Sequence, residues 1–132
     1  MKKLTVKVEI TSLDSKVSFE SIGEQNERRI KFIDNEGDTN YIVVQENTLE
    51  YYKKGNIDMK YKFNLDEVTK GYYAIMGNKF DFDIVTNELT IENDYIYIKY
   101  DLYQMSDLVN QTELRVDLEV KEESLWQTKD YH

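Results

Sequence analysis

Apolar and charged residues alternate without a break along positions 113–120. Leu114, Val116, Leu118 and Val120 fall on one face, and Glu113, Arg115, Asp117 and Glu119 on the other. Successive side chains of a β-strand point to opposite sides, so this pattern describes a strand with one dry and one wet face. The same two-residue period recurs along the chain. Ile57, Met59, Tyr61 and Phe63 alternate with Asp58, Lys60 and Lys62. Phe80, Phe82 and Ile84 alternate with Asp81 and Asp83, and Ile96, Ile98, Tyr100 and Leu102 with Tyr97, Lys99 and Asp101. Val6, Val8 and Ile10 begin the series near the N-terminus. No stretch carries a convincing 3.6-residue apolar period, so helices are not expected to build the core. One wet face and one dry face is the mark of antiparallel sheet.

Turn-forming residues punctuate the runs. Asn35-Glu36-Gly37-Asp38 separates a strand near 28–33 from one near 40–44. Asn47-Thr48 and Gly55-Asn56 bound a strand over 49–53, and Asn93-Asp94 joins 89–91 to 95–102. Gaps this short predict hairpins and a meander. A meander with this many strands must close or guard its edges. Closure gives an all-β, antiparallel barrel of roughly eight to ten strands, its interior filled by the dry faces. Two segments break the pattern. Residues 65–71 are polar and read as one helical turn or a loop. Residues 122–132 show no alternation, so the barrel domain spans 1–121. The tail that follows reads as a short helix or a disordered end, with Trp126 able to pin it to the barrel.

Composition narrows the function. The chain has 132 residues, with no cysteine and no proline. Disulfides and thiolate metal sites are therefore impossible, and the lack of staples fits a reducing cytoplasm. Lys2 and Lys3 are followed by strand patterning rather than an apolar leader, which also predicts a cytoplasmic protein. The formal net charge of −9 disfavours nucleic acid and anionic membranes as partners. The one basic cluster, Lys53, Lys54, Lys60 and Lys62 around Gly55, is opposed by Asp58 and Glu50. A monomer or a homodimer is expected.

Catalytic constellations are scarce. The single histidine, His132, is the last residue, so no Ser-His, Cys-His or histidine-metal set can be assembled. Asp81 and Asp83 lie ~7 Å apart on one strand face, a glycosidase-like separation, but on the wet side. Residues 34–38 look like a calcium loop without its required glycine and glutamate spacing, and read as a turn. Asn110-Gln111-Thr112, a glycosylation pattern, reads as a turn as well. No catalytic residue, metal ligand or cofactor is assigned, and the chain reads as non-enzymatic. Two binding sites remain. A small apolar ligand inside the barrel would meet Tyr61 and Tyr100 as polar handles. A protein partner would meet Tyr95, Tyr97 and Tyr103 on the outer face of one strand, beside Lys99 and Asp101. Gly55 and Gly77 each stand before an alternating run, where a positive φ is expected at one of them at least.

Three stretches carry a family resemblance. Lys53-Lys54-Gly55 leads into a strand holding Met59 and Phe63. Tyr72 to Gly77 leads into Phe80, Phe82, Ile84 and Thr86. Ile30-Lys31-Phe32-Ile33-Asp34 forms a third. In this order the chain resembles the YwiB-like family of small, uncharacterised bacterial proteins. Lys53 stands where that family usually has arginine, and Ala74 where it has threonine. The resemblance spans about residues 4–120 and implies a calycin-like (lipocalin-type) barrel. It implies no known activity.

Overall fold

The structure, a computed structural model, describes residues 1–121. The tail at 122–132, with Trp126 and His132, lies outside the described residues. Ten strands follow one another: β1 (Lys2–Thr11), β2 (Lys16–Asn26), β3 (Arg29–Ile33), β4 (Thr39–Val44), β5 (Thr48–Lys54), β6 (Ile57–Asn64), β7 (Thr69–Ile75), β8 (Asn78–Ile91), β9 (Tyr95–Gln104) and β10 (Asp107–Val120). Each pairs antiparallel with its sequence neighbours, and β10 pairs back with β1, closing the barrel. The expected all-β meander barrel is what the chain forms, with strand count at the upper end of the range. Among the described residues no helix is long and apolar enough to cross a membrane.

Alternation explains the interior. Leu114, Val116 and Leu118 are buried and Arg115 is exposed, with Asp117 part-exposed between them. Met59, Tyr61 and Phe63 of β6 and Ile96, Ile98, Tyr100 and Leu102 of β9 join them inside. The pattern fails at the rims, where the barrel wall stops. Val120 and Phe80 sit on inward positions yet are 54% and 44% exposed.

Three local expectations change. Residues 89–91 are not a separate strand but the end of β8, whose inward set runs Ile84, Thr86, then Leu89 and Ile91. The odd step is absorbed by a bulge at Asn87, where the pairing with β9 slips between Thr86 and Glu88. Asn110-Gln111-Thr112 is not a turn. It lies within β10, Thr112 is buried, and a second bulge separates Leu108 from Asn110. Of the two readings of 65–71 the loop holds for 65–68, but 69–71 already belong to β7, which begins at Thr69. The Thr69 hydroxyl donates to the Lys62 carbonyl, tying β7 to β6 beyond their backbone ladder.

A buried polar knot forms where the β3–β4 turn meets β5 and the β5–β6 turn. Asp34 and Asp38 of the turn at 34–38, and Asn40 just after it, are buried. Asp34 Oδ1 accepts the Glu36 and Asp38 N–H groups at 2.9 and 3.1 Å. Its Oδ2 accepts Asn40 Nδ2 at 3.0 Å and pairs with Lys53 Nζ at 3.1 Å. Asp38 reaches the neighbouring turn and accepts the N–H groups of Asn56 and Ile57 at 2.7 and 3.2 Å. That approach needs a bare backbone at Gly55, whose φ is +151° and whose added Cβ would lie 2.1 Å from Asp38 Oδ1. Gly77, with φ +80°, has open space around it and is there for its backbone angle alone.

Candidate partner-binding notch

Tyr61 and Tyr100 do meet inside the barrel. Their ring centroids are 6.2 Å apart, edge to face, within an aromatic group that includes Phe63 and Phe82. Both are buried, at 6% and 8% exposure. Burial pushes the Tyr100 hydroxyl up to about 12, against a hydrogen bond with Thr112 that pulls it down. Burial likewise raises Tyr61, helped by the nearby Tyr100 and Tyr73 hydroxyls. Tyr51, also buried, donates to Asn40 Oδ1 in the polar knot. All three are buried core residues, and Tyr61 and Tyr100 are packed among aromatic rings.

The three outer tyrosines share one face of β9 but not one place. Tyr95 lies under the Arg115 guanidinium at 4.4 Å, and Arg115 in turn holds Asp117. The Tyr97 hydroxyl donates to Glu113, a bond that with burial and the carboxylate charge pushes it up to about 12. Tyr103 stands ~27 Å from Tyr95 along the strand, with Lys99 and Asp101 between. No continuous tyrosine face forms. The basic cluster also dissolves: Lys53 points inward to Asp34, while Lys60 and Lys62 lie outside opposite Tyr52 and Glu50. Asp81 and Asp83 are on the wet face, near Lys79 at 3.8 Å and Lys70 respectively.

Tyr103 instead borders a feature that alternation alone did not point to. The β7–β8 hairpin projects past its neighbour, because β8 and β9 pair only from Asp83↔Tyr103 onward. The β9–β10 hairpin ends lower, at Gln104↔Asp107. Between the two lies an open notch of about 710 Å³. Phe80, Phe82, Tyr103, Met105 and Val109 supply its apolar lining.

Backbone geometry gives the notch a polar wall. Ile75 and Asn78 face each other across the two-residue turn Met76-Gly77, so they exchange both backbone bonds. Bonding direction alternates along the ladder. The N–H and C=O groups of Lys79 and Asp81 therefore point away from β7, into the notch. No strand of the described residues meets them there.

The rim is also apolar and strained. Met76 and Met105 are 90% and 96% exposed at the two hairpin tips, with Leu108 and Val109 beside the second. Both methionines have positive φ, 52° and 49°, and Ser106 has 72°. A turn of this hand normally takes Asn-Gly. Met105-Ser106 accepts two unfavourable angles and keeps a large apolar side chain in water.

These features sit on a fold with relatives. The chain belongs to the family described as Domain of unknown function (DUF1934). The family model matches residues 4–116. The crystal structure of the ywiB protein from Bacillus subtilis has the same fold, with a TM-score of 0.73 at 14% identity. The match covers 92% of this chain and 93% of that one. The YwiB-like resemblance read from the Gly55 and Gly77 segments is thus borne out. No curated protein sequence matches the chain.

Proposed function

We propose that this DUF1934 barrel is a non-enzymatic binding module that docks a polypeptide partner in the notch between the β7–β8 and β9–β10 hairpins. The observation that carries the reading is the concentration of exposed apolar groups: Phe80, Met105 and Val109 in the notch, with Met76 and Leu108 exposed on the two hairpins that flank it. Water-exposed apolar groups gathered at one rim mark interaction surfaces. Exposed methionines suit that use, since the flexible thioether adapts to varied partners. Strain at Met105 and Ser106 supports it further, because unfavourable backbone angles persist where function holds them. Of the tyrosines read as partner contacts, Tyr103 belongs to this surface, and Tyr95 and Tyr97 are engaged with Arg115 and Glu113.

The competing interior-ligand reading gains less from the packing. Tyr61 and Tyr100 are in contact with each other and with Phe63 and Phe82, where a ligand would have to stand. A photo-reactive phenylalanine analogue at position 105, compared with position 20 on β2, tests the docking reading in the cells that make the protein. Discrete protein adducts at 105, absent at 20 and lost with Phe80→Asp, are expected. Equal adducts at both positions refute it. A small molecule retained through native mass spectrometry would return the weight to the interior.

A further inference from the structure

We infer that the partner enters as an extended segment of alternating apolar and basic residues, added as a strand to the free edge of β8. This rests on the docking reading and specifies its occupant. Lys79 and Asp81 offer two N–H donors and two C=O acceptors along the edge, the spacing a new strand uses. Side chains of an added strand would alternate between the two faces. Those beside Phe80 and Phe82 meet an apolar surface, so apolar residues fit there. Those on the other face meet the Asp81 carboxylate, with Lys79 two positions along the same side. Asp81 has only Lys79 at 3.8 Å, with both side chains more than half exposed, and Asp107 adds a carboxylate to the notch lining from the β9–β10 side, where its pairing with Gln104 sets it on the Phe80 face. The molecule carries −9 overall, so a basic segment is also drawn in from a distance.

A second copy of this chain paired about Phe80 does not fit the same edge. Antiparallel pairing about Phe80 would satisfy Lys79 and Asp81 and set the two lysines against the two aspartates. It would also bring the copy's Asn78 opposite Phe82 and its Gly77 opposite Asp83, where Tyr103 already stands. The notch admits roughly five residues of a free segment alongside 78–82 at the ordinary strand rise.

The test uses the full chain, isotope-labelled, near physiological salt. Three acetylated, amidated octapeptides serve as probes: alternating Lys-Val, alternating Glu-Val, and a block of four lysines before four valines. The amides of Lys79 and Asp81 are expected to exchange freely without peptide. The alternating Lys-Val peptide should slow both by about tenfold or more, the scale of about 1.4 kcal/mol from two added hydrogen bonds. The Glu-Val and block peptides should not. N-methylation of alternate residues of the Lys-Val peptide, which leaves the protein untouched, should abolish the protection. So should Asp81→Pro, read at the Lys79 amide, since it deletes an N–H that this barrel does not use. Equal binding of the block and alternating lysine peptides would overturn the proposal, leaving only charge attraction. Shifts at Met105 and Val109 without protection at Lys79 would overturn strand addition while keeping the docking surface. Slow exchange of both amides in the free protein would also overturn it, since the edge would then be occupied already.

Discussion

Asp38 and Gly55 are a matched pair, and each explains the other. The carboxylate accepts two backbone N–H groups of the 55–57 turn, and the glycine leaves room for it. Gly55→Ala must displace a buried carboxylate as well as adopt a positive φ. Gly77→Ala meets only the backbone penalty, having nothing within 4 Å. Thermal and urea unfolding should show a loss of about 1 kcal/mol at Gly77 and roughly 3 kcal/mol at Gly55. Equal losses would mean the Asp38 contact carries no weight. Asp34 sets a pH response. Burial acts to raise its pKa, but the bonds from Asn40, the Glu36 N–H, Lys53 and the Asp38 N–H outweigh burial and hold it below the ordinary 3.8. A carboxyl depressed in the folded state contributes stability above its unfolded pKa and loses that contribution as pH falls through the folded one. The urea midpoint of the parent should therefore drop steeply below the ordinary 3.8, and that of Asp34→Asn should vary less over the same range. The glycine angles were legible from sequence, because each stood between strand signals. The Asp38 partnership was not, since it joins residues 18 positions apart through a turn's fold.

At the scale of elements, alternation located most strands because nearly every strand has one face in a dry interior and one in water. It misjudged places where the phase shifts. Thr86 and Leu89 are both inward, three positions apart, and only the bulge at Asn87 reconciles them. The notch was missed for a related reason. Phe80 continues an inward series, but the wall that should cover it ends at Tyr103, and strand stagger is not written in any one strand. One signal was available: Met105 and Ser106 join two alternating runs without Gly or Asn. That turn makes a prediction of its own. Met105→Asn with Ser106→Gly relieves two strained angles and should raise stability by about 0.5–2 kcal/mol in urea unfolding. If the methionine is kept for docking, the same variant, with the photo-reactive analogue placed at Tyr103 on the notch wall, should lose the cross-links that the parent forms from that position. A stabilised variant that still cross-links fully would detach the strain from the function.

Across the whole molecule, nine of the ten strand pairings link sequence neighbours, and one does not. Strands β1 and β10 join residues as distant as Leu4 and Val120. Local hairpins pay little loop entropy, so they form early, while the seam must wait for both ends of the sheet. Val116→Ala, in the seam, should therefore accelerate unfolding with almost no change in the folding rate. A marked slowing of folding in stopped-flow experiments would place the seam in the nucleus instead. The seam also brings the two ends of the described chain together, with the Lys121 N–H bonded to the Lys3 carbonyl at 3.0 Å. Geometrically, then, the barrel is a ring of ten links in which the break between β10 and β1 is only one of ten candidate openings. A gene rearranged to connect residue 121 to residue 1 through a short flexible bridge, and to begin instead inside the exposed turn at 45–47, should yield the same barrel in circular dichroism and two-dimensional NMR. Its nucleation would shift, because the old seam would become a local hairpin and the β4–β5 hairpin the new long-range closure.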